Sequence, residues 1–170
     1  MFTNAASVSG QPAADGVRVV GLGGAAFPSA VKLTGAARAK VTTLVMNGGE
    51  CEPYLSCDDR VMRDFAADVV DGVRLMMHAS GAREALVGIE DNKPEAIAAM
   101  RKAAEAFSEI KIRPVPARYP MGSEKQLILT LTGQEVPAAG RPGDGGIPRA
   151  ARLPSAGHAA AYRRRTRTHP

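Results

Sequence analysis

The sequence predicts an α/β fold, a Rossmann-like parallel sheet with helices on both faces. Two observations carry this. Three short β-branched or apolar runs, 41–46, 85–89 and 110–115, are each followed by a segment of helical period. Each run also stops at a polar or glycine-containing loop. Strand, helix, strand, helix at this spacing is how a parallel sheet is crossed and covered. Ligands of such sheets bind beyond the carboxyl ends of the strands, so the loops after the runs are where function is sought.

Residues 1–16 are rich in Ala, Ser, Gly and Pro with few large apolar groups, which predicts a disordered N-terminus. Val17 to Val20 read equally as a strand or a helix end, and lead into Gly21-Leu22-Gly23-Gly24-Ala25-Ala26-Phe27-Pro28. The small residues around Gly23 and Gly24 leave bare backbone, against which a planar group or a phosphate can lie. Pro28 opens a short helix, and Lys32, about one turn on, is placed to return a cation to the loop. Taken alone, this stretch reads first as an ordinary glycine-rich surface loop followed by a helix, and the ligand reading needs the other segments beside it.

Val41 to Met46 predicts a buried strand stopping at Asn47-Gly48-Gly49. Asp64 to Ala79 carries Phe65, Val69, Val73 and Met76 at helical spacing, with Gly81 just past its end. Ala85 to Ile89 is the second strand. Pro94 to Phe107 is the second helix, with Asn92 as its cap and Ile97, Met100, Ala104 and Phe107 on one side. Ile110 to Val115 is the third strand, which Pro114 confines to a sheet edge. Ser123 to Leu131 reads as a helix ended by Gly133.

At 170 residues the chain has the length of one domain, and 45% hydrophobic with 23% charged residues is a globular composition. With 4% aromatics and no Trp, a base-stacking nucleic-acid surface is disfavoured. The net charge of +5 belongs to residues 148–170, which hold Arg149, Arg152, Arg163, Arg164, Arg165 and Arg167 and no acid. Removing those six from 22 basic residues leaves 16 against 17 acidic ones. Cys51 and Cys57 are too few for a zinc site or an iron-sulfur cluster, and suit a reducing, cytoplasmic setting. Residues 1–16 lack a signal-peptide pattern, and no apolar run approaches the roughly 18 residues needed to cross a bilayer. Membrane contact is therefore expected only through a partner.

The loop Asn47 to Arg60 is dense in polar groups directly after a buried strand. A capped, solvated turn accounts equally well for Asp58, Asp59 and Arg60. Glu50 and Glu52 bracket Cys51 and precede Pro53, which restrains the backbone and holds two carboxylates at the crevice mouth. Such carboxylates can accept hydrogen bonds from ribose hydroxyls or a flavin edge, and repel an extra phosphate, favouring NADH over NADPH. Tyr119-Pro120-Met121-Gly122-Ser123-Glu124-Lys125 brings an aromatic, a glycine and a carboxylate to a helix entry. No side chain is assigned as an acid, a base or a metal ligand.

Four ordered stretches, GLGGAAFPSAVKL, NGGECEPYLSCDDRVM, GIEDNKPEAI and RYPMGSEKQLILTLTGQEVP, resemble the C subunit of the Rnf electron-transport complex. That family is itself related to the flavin-bearing subunit of respiratory NADH dehydrogenase. The resemblance runs from about Gly21 to Ile147. It implies that residues 17–147 form a Rossmann-like domain holding FMN and NAD(H), with hydride exchanged between nicotinamide and flavin and electrons passed on to iron-sulfur carriers. By the same resemblance Gly21, Gly23, Gly24 and Ala25 line the flavin and dinucleotide pocket, Phe27 walls the nucleotide and Lys32 meets the flavin phosphate. Asn47 and Glu50 match polar contacts to the flavin and nicotinamide side, and Tyr119, Gly122 and Glu124 match the third segment. Ala26 stands where relatives often have Gly, and Gly48-Gly49 where they often carry Ala or Asp. The implied partners are NADH and other subunits of a complex on the inner face of the plasma membrane, with no nucleic acid and no direct insertion.

The family continues into a further strand and a segment with CxxCxxCxxxCP motifs for 4Fe-4S clusters, and this chain carries no such ligands. Residues 148–170 read instead as a basic, disordered tail foreign to the family, as after a truncation or frame change. A strand would then be missing beside Val41 to Met46, leaving an open edge and a marginal domain weak for FMN. The family is one of NADH:acceptor oxidoreductases, and this fragment alone is expected to fall short of that activity. Two other readings stand beside it: an inactive remnant that binds no cofactor, and a basic-tailed nucleic-acid-binding protein.

Overall fold

The computed structural model describes residues 36–38, 40–50, 57–135 and 150–153. They form four parallel strands, β1 (Thr43–Gly48), β2 (Glu84–Glu90), β3 (Ile110–Val115) and β4 (Ala150–Leu153), in the order β3-β2-β1-β4. Helices α1 (Cys57–Asp64) and α2 (Ala66–Ser80) lie between β1 and β2, α3 (Pro94–Ala104) between β2 and β3, and α4 (Glu124–Thr132) after β3. The chain thus builds outward from β1 to one edge, then returns to pair on the other side of β1. This reversal is where a doubly wound sheet opens its crevice.

Strand alternation sends β1 and β2 into two cores. Leu44 and Met46 of β1 and Ala85, Val87 and Ile89 of β2 pack with α1, α2 and α3, where Met62, Val69, Val73, Met76 and Met100 are buried. On the other face Val45 packs with Val115 from β3, Met121 from the loop before α4, and Leu127 and Ile128 from α4. Each side chain so buried contributes roughly 1.5–3 kcal/mol. Helices therefore cover both faces, and β3 with its Pro114 is an edge strand, where a missing N–H leaves no central ladder unsatisfied. Gly81 and Gly133 end α2 and α4 with φ of 75° and 70°, a conformation that costs glycine little.

Three expectations are corrected. Cys57–Asp64 is a helix, where the sequence suggested a loop running to Arg60 and one helix beginning at Asp64. Its CDDRVMRD sequence buries only Met62, so it has no apolar stripe to read. Helix α3 starts at Pro94 with Lys93 in the capping position and no side-chain cap, so Asn92 does not cap it. The edge beside β1 is not open: Ala150–Leu153 pairs with Thr43–Met46 in parallel register, inside the stretch expected to be a strandless tail.

Candidate functional site

Among the described residues three polar ones are buried as whole residues, Asn47, Ser80 and Glu90, and the Glu50 side chain is buried as well. Ser80 is absorbed by its own helix, its hydroxyl donating to the carbonyls of Met76 and Met77. Asn47 and Glu90 lie at the carboxyl ends of neighbouring central strands. Asn47 has the parity of Val45, and Glu90 that of Leu86 and Gly88, so both face the α4 side of the sheet. The apolar face thus ends in two polar groups at the edge where the crevice opens.

Both ends of the Asn47 amide are used. Its Nδ2 donates to the Gly122 carbonyl at 3.1 Å, and its Oδ1 accepts from the Gly49 N–H at 3.0 Å. One side chain therefore fixes the loop after β1 and the loop before α4 against each other. Gly49 sits at the convergence: a Cβ there would lie 3.2 Å from Asn47 Oδ1, 3.6 Å from Gly122 Cα and 3.8 Å from Glu90 Oε1. At Gly48 a Cβ would come within 2.8 Å of the Gly88 carbonyl oxygen and 3.0 Å of Met62 Sδ. Close backbone approach thus explains Gly at 48, and the tight corner favours it at 49.

Glu50 ties the same loop to two further elements. Its Oε1 accepts from the Asp58 N–H at 2.6 Å, in the first turn of α1, where a helix favours negative charge. Its Oε2 pairs with the Lys93 ammonium from the β2–α3 turn, the two side chains being 5% and 14% exposed. Asp91 accepts from the Ala117 N–H at 3.1 Å and its own N–H donates to the Val115 carbonyl, joining the ends of β2 and β3. Burial pushes the Glu90 carboxyl above the usual carboxylate range. The Lys93 charge and the Glu50 N–H offset part of that push, while the Glu50 and Asp91 charges add to it.

Of the residues singled out in the sequence, Asn47, Glu50 and Gly122 come together at this end. Tyr119 belongs to the same β3–α4 loop and stands 88% exposed. Glu124 begins α4. Gly21, Gly23, Gly24, Ala25, Phe27, Lys32 and Glu52 lie outside the described residues. Glu90 and Lys93 were not singled out by sequence reasoning, which placed Glu90-Asp91-Asn92 among the loops at the crevice but gave none of its residues a role. The available signal was parity, since a carboxylate two residues beyond Gly88 must share its face.

A shallow groove also exists at the opposite, amino end of the sheet, lined by Thr43, Glu84, Lys111, Arg113 and Gln134 among others. Its carboxylate is already satisfied: Glu84 accepts from Lys111 at 3.0 Å and from the Thr43 hydroxyl at 2.8 Å. No buried polar group is aimed into it, so the site is placed at the carboxyl end. Among the described residues no group of three or more His, Cys, Asp or Glu is arranged to hold a metal ion.

A doubly wound parallel sheet with its buried polar groups gathered at the carboxyl edge, beside the reversal of strand order, defines a Rossmann-like ligand-binding domain. The particular family follows from comparison: residues 15–153 match the Nuo51 FMN-binding domain, and the chain belongs to that family. The match ends at the last residue of β4. The chain is 50% identical over 141 residues to the C subunit of the ion-translocating oxidoreductase complex of Rhodobacter capsulatus, covering 82% of this chain and 27% of the relative. It is also 50% identical over 129 residues to the protein of the same name from Salmonella gallinarum, covering 76% of this chain and 19% of that one. The chain thus spans about a quarter or less of the length of these relatives. Among solved structures, the NAD+-reducing [NiFe]-hydrogenase in its air-oxidized state shares the fold, with a TM-score of 0.70 at 22% identity over 86% of this chain and 28% of that one.

The residues present fit the cofactor that the family description implies. Gly49 leaves the strand edge without a side chain beside the buried Glu90 carboxyl, the kind of bare backbone a planar group can lie against, while Gly48 serves the close packing of β1 on β2. Asn47, whose amide is already engaged, would hold the corner's shape.

Proposed function

We propose that this chain supplies the FMN- and NAD(H)-binding part of one subunit in a membrane-associated electron-transport complex. FMN would rest at the carboxyl ends of β1 and β2, with the loop Gly21 to Lys32 taking its phosphate. When bound, the flavin supplies the capacity to accept hydride from a nicotinamide and release electrons singly. The protein's part is placement. Asn47 locks two loops together, Glu50 and Lys93 join the β1 loop to the β2–α3 turn, and Gly49 keeps the corner free of side chain.

The observation that carries this reading is the gathering of Asn47 and Glu90, two of the three buried polar residues described, at one strand edge beside a glycine corner. Family membership supports FMN, and the names of the Rhodobacter and Salmonella relatives support an oxidoreductase complex as the setting. No helix among the described residues is long and apolar enough to cross a membrane. Acceptor clusters would then reside on other polypeptide segments.

The test is to purify the chain, add FMN, remove free flavin by gel filtration and record the visible spectrum. The expected result is flavin absorbance travelling with the protein, and its loss in Lys32→Ala and in Asn47→Ala. Protein that stays colourless at saturating FMN would remove the assignment.

A further inference from the structure

Glu90 closes β2 and is 6% exposed, yet among the described residues its carboxyl has no cation paired with it, only the Glu50 N–H and the more distant Lys93 charge. The charged groups that act on it are Lys93 and Asp91 from its own turn and Glu50 from the loop after β1, while the loop before α4 brings the Gly122 backbone to the same corner. Lys93 is already paired with Glu50, and Asp91 is held by the Ala117 N–H. Two carboxylates, Glu50 and Glu90, thus share one ammonium at the carboxyl edge of the sheet, and the pairing goes to Glu50.

We propose that Glu90 is a ligand-linked proton site, so that occupation of the crevice by FMN draws one proton from solvent onto the Glu90 carboxylate. The proposal rests on the cofactor reading above. The effect of the ligand has a definite sign. A group laid beside Gly49, whose Cβ position is 3.8 Å from Glu90 Oε1, removes the remaining water from Glu90, and desolvation disfavours the charged carboxylate. The step is proton transfer alone: an O–H bond forms on Glu90, buffer or water gives up the proton, and no electrons move.

The sign of the linkage follows. The bound state holds the extra proton, so affinity falls as pH rises between the Glu90 pKa of the free protein and its higher value in the complex. Within that window the dissociation constant rises by up to about tenfold per pH unit, the limit for one linked proton. Glu90→Gln mimics the protonated acid in shape and charge, and keeps the tight low-pH affinity throughout.

The experiment measures FMN affinity of the full chain by quenching of flavin fluorescence from acid to mildly alkaline pH, for wild type and Glu90→Gln. Titration of the FMN phosphate is common to both proteins and cancels in the ratio. The expected ratio of dissociation constants, wild type over variant, climbs with pH. Calorimetry of the wild type, in two buffers of different ionisation enthalpy and at a pH well above the second phosphate pKa of about 6, should register proton uptake on binding and needs no variant to fold. Binding with parallel pH profiles and no proton uptake overturns the linkage while leaving the cofactor assignment standing. No FMN binding at any pH overturns both.

Discussion

The two ends of β2 carry the same residue type in opposite circumstances. Glu84, its first residue, stands at a partly exposed edge with Lys111 at 3.0 Å and the Thr43 hydroxyl at 2.8 Å, and these hydrogen bonds hold its carboxyl below the usual range. Glu90, its last residue, is buried, its neighbouring ammonium is committed to Glu50, and burial pushes its carboxyl up. The amino end spends its polar groups on pairing with one another. The carboxyl end keeps a carboxyl that folding alone does not favour, next to a corner without side chains. A stability cost retained at one end of a strand and avoided at the other marks the end with work to do beyond folding.

The largest expected effect breaks the carboxyl end. Lys93→Met leaves the Glu50 carboxylate buried without its cation, at a cost of about 3 kcal/mol in urea unfolding. The equivalent change at the other end, Lys111→Met, removes a partner from an exposed pair and costs under about 1 kcal/mol. Equal losses would erase the contrast between the two ends.

Next comes Gly48→Ala. Its Cβ meets the Gly88 carbonyl oxygen at 2.8 Å, a backbone atom that cannot swing away, so β1 and β2 must shift at a cost of about 2 kcal/mol. Thermal unfolding reports this. Asn47→Ala deletes one acceptor and one donor, leaving the Gly49 N–H and the Gly122 carbonyl without those bonds, for about 1–2 kcal/mol.

The smallest effects are the most diagnostic in sign. The folded pKa of Glu90 is raised, so its contribution is fully present below the ordinary value of about 4.3 and is lost as pH rises through the folded value. Glu90→Gln should therefore gain stability relative to wild type at mildly alkaline pH and gain nothing in acid. Glu84 has its pKa lowered, so its contribution is present at neutral pH and lost as pH falls through the folded value. Glu84→Gln should cost under about 1 kcal/mol at neutral pH and nothing in strong acid. Opposite pH slopes of the two differences, by denaturant unfolding, sharpen the comparison, and parallel slopes break it.

What the sequence made legible follows the same physics. VTTLVM and ALVGI announce themselves as strands because both faces of a central parallel strand are covered, so the run is apolar throughout. Asn47 and Glu50 could be picked out because polar residues directly after such a run fall in the crevice. Helix α1 was hidden because Asp58, Asp59, Arg60, Arg63 and Asp64 leave it only one buried side chain, Met62. Strand β4 was hidden because Ala-Ala-Arg-Leu has no pattern of its own, and its register is supplied by the edge of β1. The Glu90-Asp91-Asn92 loop was legible as part of the crevice, but three adjacent polar residues do not say which is buried, and only strand parity turns Glu90 inward.

The central claim is that the carboxyl edge, and not the amino edge, is the cofactor end. It is tested most directly by titrating FMN into the wild-type chain, Asn47→Ala and Lys111→Met and following flavin fluorescence. Loosening the two loops that Asn47 locks should weaken FMN by about tenfold, the equivalent of one lost hydrogen-bonded anchor, while Lys111→Met binds as wild type does. Wild-type affinity in Asn47→Ala together with weakened binding in Lys111→Met would contradict the account.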